Sequence, residues 1–226
     1  MSLSRRVGII LNRKNVGAVD RRITLFCADG KHELRARGTQ KLASKLAGSL
    51  EPLTLVELTV AKGRTSGQIT GSSILDSFKK IRSNMARIAG AALLASAVDS
   101  LVHGRLDERT PYRRIRESFV LLGRSLTNRE VYLAVAYGLW NLVSSLGFHP
   151  PIEQLILRPS ARRLVAVLLE GEYRSVPRIR CSLITARECV EMAMGFAQQC
   201  ADREFPAATF FRRILDANRR SAHSSA

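Results

Sequence analysis

Four cations, Arg35, Arg37, Lys41 and Lys45, fall within eleven residues, and no acid follows them until Glu51. The residues between them are small or modest: Gly38, Thr39, Ala43, Ser44, Ala47 and Gly48. Long cations above a low surface can reach backbone phosphates and release their counterions, which is the chemistry of sequence-tolerant nucleic-acid binding. Further clusters occur at Arg13–Lys14, at Arg21–Arg22 and at Lys62/Arg64. Residues 1–50 carry 11 Lys and Arg against 3 Asp and Glu, so within residues 1–78 the excess lies before the fourth strand. One such cluster is ordinarily a solvated basic face. Several with so few acids point to a polyanion.

The whole chain agrees in sign. It has 226 residues and a net charge of +17, with 36 basic and 19 acidic side chains. Nucleic acid is the first partner such a field favours, and an anionic membrane surface the second. Arg (29) outnumbers Lys (7); Arg suits bidentate phosphate contacts, and biased codon usage accounts for the excess equally well.

Catalytic chemistry is hard to assemble from these residues. The histidines, His32, His103, His149 and His223, are each isolated from other ligand types at metal spacing. "GRTSGQITGSS" has glycines but no Lys-Ser/Thr to complete a phosphate-binding loop, and there is no G-x-S-x-G turn. Cys27, Cys181, Cys189 and Cys200 show no C-x-x-C pair, so neither a zinc ribbon nor a disulfide framework is expected. No catalytic residue, metal or cofactor is assigned. The start has only a five-residue apolar run and "IAGAALLASAV" is too short to span a bilayer, so a cytoplasmic protein in a reducing compartment is expected.

These cations need a scaffold, and the patterning supplies one of α+β class. "RVGIILN" alternates, with Val7, Ile9 and Leu11 on one side. "RRITLFCA" and "KHELRARG" flank an Asp-Gly hairpin signal. Gln40–Ala47 suits a short helical turn. "LTLVELTV" is a strand, and "QITGSSIL" a weaker one broken by Gly71. Five short strands in residues 1–78 fit an OB-fold β-barrel. Phe26, in an alternating strand, is read as core. From residue 79 to 226 the spacing turns helical, beginning with "KKIRSNMARIAGAALLASAVDSLVHG". Thr110–Pro111 opens another helix, Thr127 and Glu130 form a capping-box pattern before the next, and Gly147 stops it. Ser160–Glu170, Thr185–Asp202 and Pro206–Ala217 complete an α-helical domain, with "EGEYRSVPRIRC" as a loop and a frayed tail.

The order of these motifs resembles the bacterial recombination mediator family RecO. Asp20-Arg21, Leu25-Phe26, Gly30-Lys31, Arg37-Gly38, Ser44, Leu46, Gly48, Leu50 and Pro52 fall in register with the family's pattern, and Leu146-Gly147-Phe148 with Pro150 repeats a later landmark. The resemblance implies a non-enzymatic protein with an N-terminal OB-fold and a helical domain. Such a protein binds single- and double-stranded DNA and anneals complementary strands. It also binds the C-terminal tail of single-stranded DNA-binding protein (SSB) and acts with RecR to help RecA load, in the cytoplasm at the nucleoid. Arg13, Lys14, Arg21, Arg22, Arg35, Arg37, Lys41, Lys45, Lys62 and Arg64 are then the expected DNA-binding set. Many members hold zinc with four cysteines after the Leu-Gly-Tyr helix; "GFHPPIEQLILRPS" has none. An acidic tail with an apolar end needs an apolar notch ringed by Arg, which Arg113, Arg116, Leu121 and Arg124 could supply beside Arg114, Arg129, Phe119 and Leu122. An RNA-binding OB protein and a protein–protein adaptor remain open alternatives.

Overall fold

The computed structural model describes residues 3–39, 46–63, 67–150, 152 and 158–223. Five strands, β1 (Leu3–Val16), β2 (Asp20–Cys27), β3 (Gly30–Ala36), β4 (Leu55–Ala61) and β5 (Gly67–Asp76), close a barrel in the order β1-β2-β3-β5-β4. All pairings are antiparallel except β3–β5, which is parallel and joins Leu34 to Gly67 and Arg35 to Gln68. This is the OB-like arrangement that the strand pattern predicts. Ile10, Ile23, Leu25, Leu34, Leu58 and Ile69 fill the interior. Leu50 joins them from the segment after a 3-10 turn at Ala47–Ser49; of the helical turn expected at Gln40–Ala47, residues 40–45 lie outside the described residues. Each of these side chains contributes about 1.5–3 kcal/mol by leaving water.

The inward phase of β1 differs from the alternation read in the sequence. Ile10 faces the barrel interior, while Val7 is exposed. Ile9 and Leu11, expected on the side of Val7, are buried but are not among the residues of the barrel interior, so both faces of β1 are covered from Ile9 to Leu11. Pairing with β2 slips just beyond, between Ile10 and Asn12. Phe26 is buried, as expected, but it is not among the residues of the barrel interior. Its ring meets Tyr112 edge to face at 5.5 Å.

Tyr112 belongs to a segment, Val102–Tyr112, that forms one compact unit with residues 1–79. This segment clamps the β2–β3 turn. Lys31 N–H donates to the Gly104 carbonyl at 2.7 Å, and Leu106 N–H donates to the Asp29 carbonyl at 3.0 Å. Gly30 has φ +115°, and a Cβ there would stand 2.3 Å from the Gly104 oxygen. Only glycine satisfies both conditions.

The second unit comprises Lys80–Leu101 and residues from Arg113 onward. The chain's helices are α1 (Lys79–Arg82), α2 (Met85–Leu101), α3 (Thr110–Arg124), α4 (Asn128–Ser145), α5 (Pro159–Glu170), α6 (Leu183–Ala201) and α7 (Ala208–His223), with the first residue of α1 and the first three of α3 counted in the first unit. The first predicted helix is two: the chain breaks after Arg82, and Asn84 caps α2 by accepting the Arg87 N–H at 3.1 Å. α2 is buried on nearly every side, which is why its residues are small and apolar all round. The Thr127/Glu130 capping box forms at the start of α4. Deep in the unit, Asn141 Nδ2 donates to the carbonyls of Tyr137 (2.9 Å) and Leu168 (2.8 Å), tying α4 to α5. Two segments are more ordered than their patterning suggests. Tyr173–Arg178 winds as a 3-10 helix, and α7 runs to His223, where a frayed tail was expected. Among the described residues, no helix is long and apolar enough to cross a membrane.

Candidate nucleic-acid interface

The hairpin registers bring three of the expected cations into line. Lys14 pairs with Arg22 across β1–β2, and Arg22 pairs with Arg35 across β2–β3. Directly opposed residues share a face, so these side chains form a row across three neighbouring strands. Strands lie about 4.8 Å apart, so the row is about 10 Å long, enough to meet consecutive phosphates. All three are exposed, on the face opposite the interior residue Ile23. Arg37 follows two residues beyond Arg35 and is exposed too.

The basic segment has an acidic partner after all, supplied by β2. Asp20 Oδ2 accepts from Arg35 Nη2 at 2.7 Å and Nε at 3.0 Å, while its Oδ1 accepts the Gly38 N–H at 2.9 Å. The Gly38 amide first, and the Arg35 guanidinium second, hold the Asp20 carboxyl below the usual carboxylate range. Asp20 is buried while half of the Arg35 side chain remains exposed. One acid thus fixes the turn after β3 and orients Arg35 along the row. Fifteen residues separate the pair, so nothing in local spacing announces it.

The remaining cations are dispersed. Arg13 pairs with Glu51. Arg22 stands 3.7 Å from Glu33 with both side chains more than half exposed, a pair of little energetic weight. Arg21 is half-buried between its register partners Asn15 and Ala36, with Nε enclosed. Lys62 is exposed just past β4. Lys41, Lys45 and Arg64 lie outside the described residues.

In the helical unit, Leu121 and Arg124 line a largely apolar notch with Ser125, Glu130, Leu133, Val176 and Pro177; the Glu130 carboxylate accepts the N–H groups of Leu126 and Thr127. Pro177 also borders a shallow groove lined by Arg129, Arg178, Ile179, Arg180 and Cys181. Arg113 and Arg116 are exposed on α3, on the stripe that continues to Val120 and Arg124, and they do not line the notch. The sequence reading passes over Val176, Pro177, Arg178 and Arg180 as loop. Their signal is the alternation of arginine and apolar residues around Pro177.

Comparison with known proteins bears on both surfaces. Residues 1–78 match the family model described as Recombination protein O N terminal. A protein of a Roseiflexus species named DNA repair protein RecO is 34% identical over 152 residues, covering 66% of this chain and 51% of that relative. The protein of the same name from Symbiobacterium thermophilum is 26% identical over 224 residues, covering 99% of this chain and 84% of the relative. That from Rubrobacter xylanophilus is 32% identical over 111 residues, 49% and 45% of the two chains. The chain therefore spans about half the length of two of these three relatives.

Proposed function

Because the chain belongs to the RecO DNA-repair family, we propose that it is a non-enzymatic recombination mediator that holds DNA strands by their phosphates and anneals them. The observation that carries this reading is the row Lys14–Arg22–Arg35 across three strands, oriented by Asp20. Cations spaced along a rigid sheet neutralise backbone charge and screen the repulsion between two strands, while the base edges stay free to pair. Such binding tolerates any sequence and consumes no nucleotide.

The helical unit adds a second contact. The notch at Leu121, Leu133, Val176 and Pro177 takes the apolar end of an acidic peptide, and the groove of Arg129, Arg178 and Arg180, which shares Pro177, meets its acids; Glu130, also in the notch lining, is engaged by the Leu126 and Thr127 amides. The SSB tail is such a peptide. Recruitment through that tail, cooperation with RecR and assistance to RecA loading follow as one working scheme, located at the nucleoid.

Annealing of complementary oligonucleotides coated with SSB, followed by fluorescence, tests the scheme. The native chain should accelerate annealing without ATP or metal. The triple variant Lys14→Gln/Arg22→Gln/Arg35→Gln should bind weakly, and the slope of log affinity against log salt should fall by about 2–3. An unchanged slope would remove the row from the interface. RNA competing as well as DNA of equal length would favour an RNA-binding role instead.

A further inference from the structure

The β2–β3 hairpin does more than place Arg22 and Arg35. At its far end, Cys27, Asp29 and His32 converge, each offering one ligand atom, with those atoms all within 4.8 Å of one another. We propose that this hairpin end is a binding site for a borderline-soft divalent ion of the Zn2+ type, held by Cys27 Sγ, Asp29 carboxylate and His32 imidazole.

The linear spacing C-x-D-x-x-H matches no familiar zinc pattern, so each histidine reads as isolated in the sequence. The turn supplies the proximity that the spacing hides. Cys27 ends β2, Asp29 lies in the turn and His32 is the third residue of β3. All three donors thus come from six residues of one hairpin. Its turn is already fixed by Gly30 and by the hydrogen bonds of Asp29 and Lys31 to the Val102–Tyr112 segment. Little chain entropy remains to be lost on chelation.

Two further observations show how the thiol is seated and the demand for positive charge. Gly8 lies beneath the thiol: a Cβ at residue 8 would come within 2.8 Å of Cys27 Sγ, so glycine leaves the sulfur its place. A cation already serves the site. Arg6 Nη1 lies 2.9 Å from Asp29 Oδ2 and 3.1 Å from His32 Nε2, and His32 Nε2 lies 2.9 Å from Asp29 Oδ1. The guanidinium, which only donates, and the carboxylate, which only accepts, compete for one imidazole nitrogen. A metal ion resolves that conflict by accepting electron pairs from the carboxylate and the imidazole together.

The exchange balances. On binding, the Cys27 S–H bond breaks, its proton leaves to solvent and a sulfur–metal bond forms. The Arg6 guanidinium swings away still protonated. One divalent ion replaces one proton and one guanidinium, so the net charge of the site is unchanged. Thiolate, imidazole and carboxylate together select Zn2+ over Mg2+ or Ca2+, and solvent at the half-exposed Asp29 edge completes four-coordination. Burial raises the Cys27 thiol pKa to about 12, so the free chain keeps its proton until the ion arrives.

The test is titration of the full chain with Co2+, a spectroscopic stand-in for Zn2+. One equivalent should bind with a thiolate-to-cobalt charge-transfer band, and Zn2+ should displace it. Removing residues that merely support a metal costs about 10–100-fold in affinity, so losing a ligand in Cys27→Ala or His32→Ala should weaken binding by about 100-fold or more. Arg6→Met removes the competing cation and should tighten binding. Half-exposed variants such as Asp29→Asn keep the test open should Cys27→Ala misfold. The proposal fails if neither the native chain nor Arg6→Met shows the band. It fails equally if the band survives in folded Cys27→Ala, since Cys181, Cys189 or Cys200 would then be the source.

Discussion

The two ends of the β2–β3 hairpin each carry an aspartate, and they use it differently. Asp20, at the open end, is buried and accepts from one arginine and one backbone amide. Asp29, in the turn, is more exposed and gathers Arg6 and His32 through its side chain. Burial pushes the Asp29 carboxyl up, but His32 and Arg6 outweigh it and the net shift is downward. The same residue type thus shapes a backbone turn at one end and assembles side chains at the other. The difference follows from what surrounds each carboxylate: Asp20 accepts from an amide donor fixed by the chain, and Asp29 meets the side chains of Arg6 and His32.

Substitutions can break this contrast in order of size. The largest effect belongs to the turn itself. Gly30→Val meets both a positive φ and the Gly104 carbonyl, and should destabilise the barrel by about 3 kcal/mol or more in denaturant unfolding. A loss under about 1 kcal/mol would mean that the clamp gives way freely. Acid titration separates the two aspartates next. Both have lowered folded pKa values, so the stability they confer is fully present above the ordinary Asp value of about 3.9 and is lost as pH falls through the folded values. Asp20→Asn should flatten that acid loss more than Asp29→Asn, because Asp29 is better solvated. Equal flattening would erase the distinction. The smallest effect is on DNA. Asp20→Asn removes a negative charge beside the cation row and should tighten binding at low salt by about two- to fivefold while lowering stability. Asp29→Asn should leave DNA affinity unchanged. Tighter binding in both variants would show a bulk charge effect, not a local one.

Much of the architecture is legible in the residues, because local rules decide it. The Asp29–Gly30 turn, the Thr127/Glu130 capping box and the β-branched run at β4 each express short-range physics, and each forms. The phase of β1 is not legible, since Ile9, Ile10 and Leu11 are consecutive apolar residues, all buried, and no alternation among them says which faces the interior. The break at Ser83–Asn84 is readable in hindsight from the capping preference of Asn84. The candidate interface divides in the same way. Cation clusters are plain in the sequence, but alignment of Lys14, Arg22 and Arg35 depends on register. The Arg35–Asp20 pair and the hairpin cluster of Cys27, Asp29 and His32 depend on the pairing of β2 with β3 and on side-chain reach, which linear spacing does not announce.

The barrel's closure bears on how the interface behaves over time. Among the described residues, β3 and β5 meet through two residue pairs, and one of them is Arg35 with Gln68. A short parallel seam is the natural place for transient opening, and the amides there should exchange with solvent sooner than those of the longer antiparallel ladders. A polyanion bound at Arg35 would sit beside this seam. Its occupancy should then be visible as slowed hydrogen exchange at Gln68, making the weakest stitch of the barrel a built-in reporter of what the surface holds.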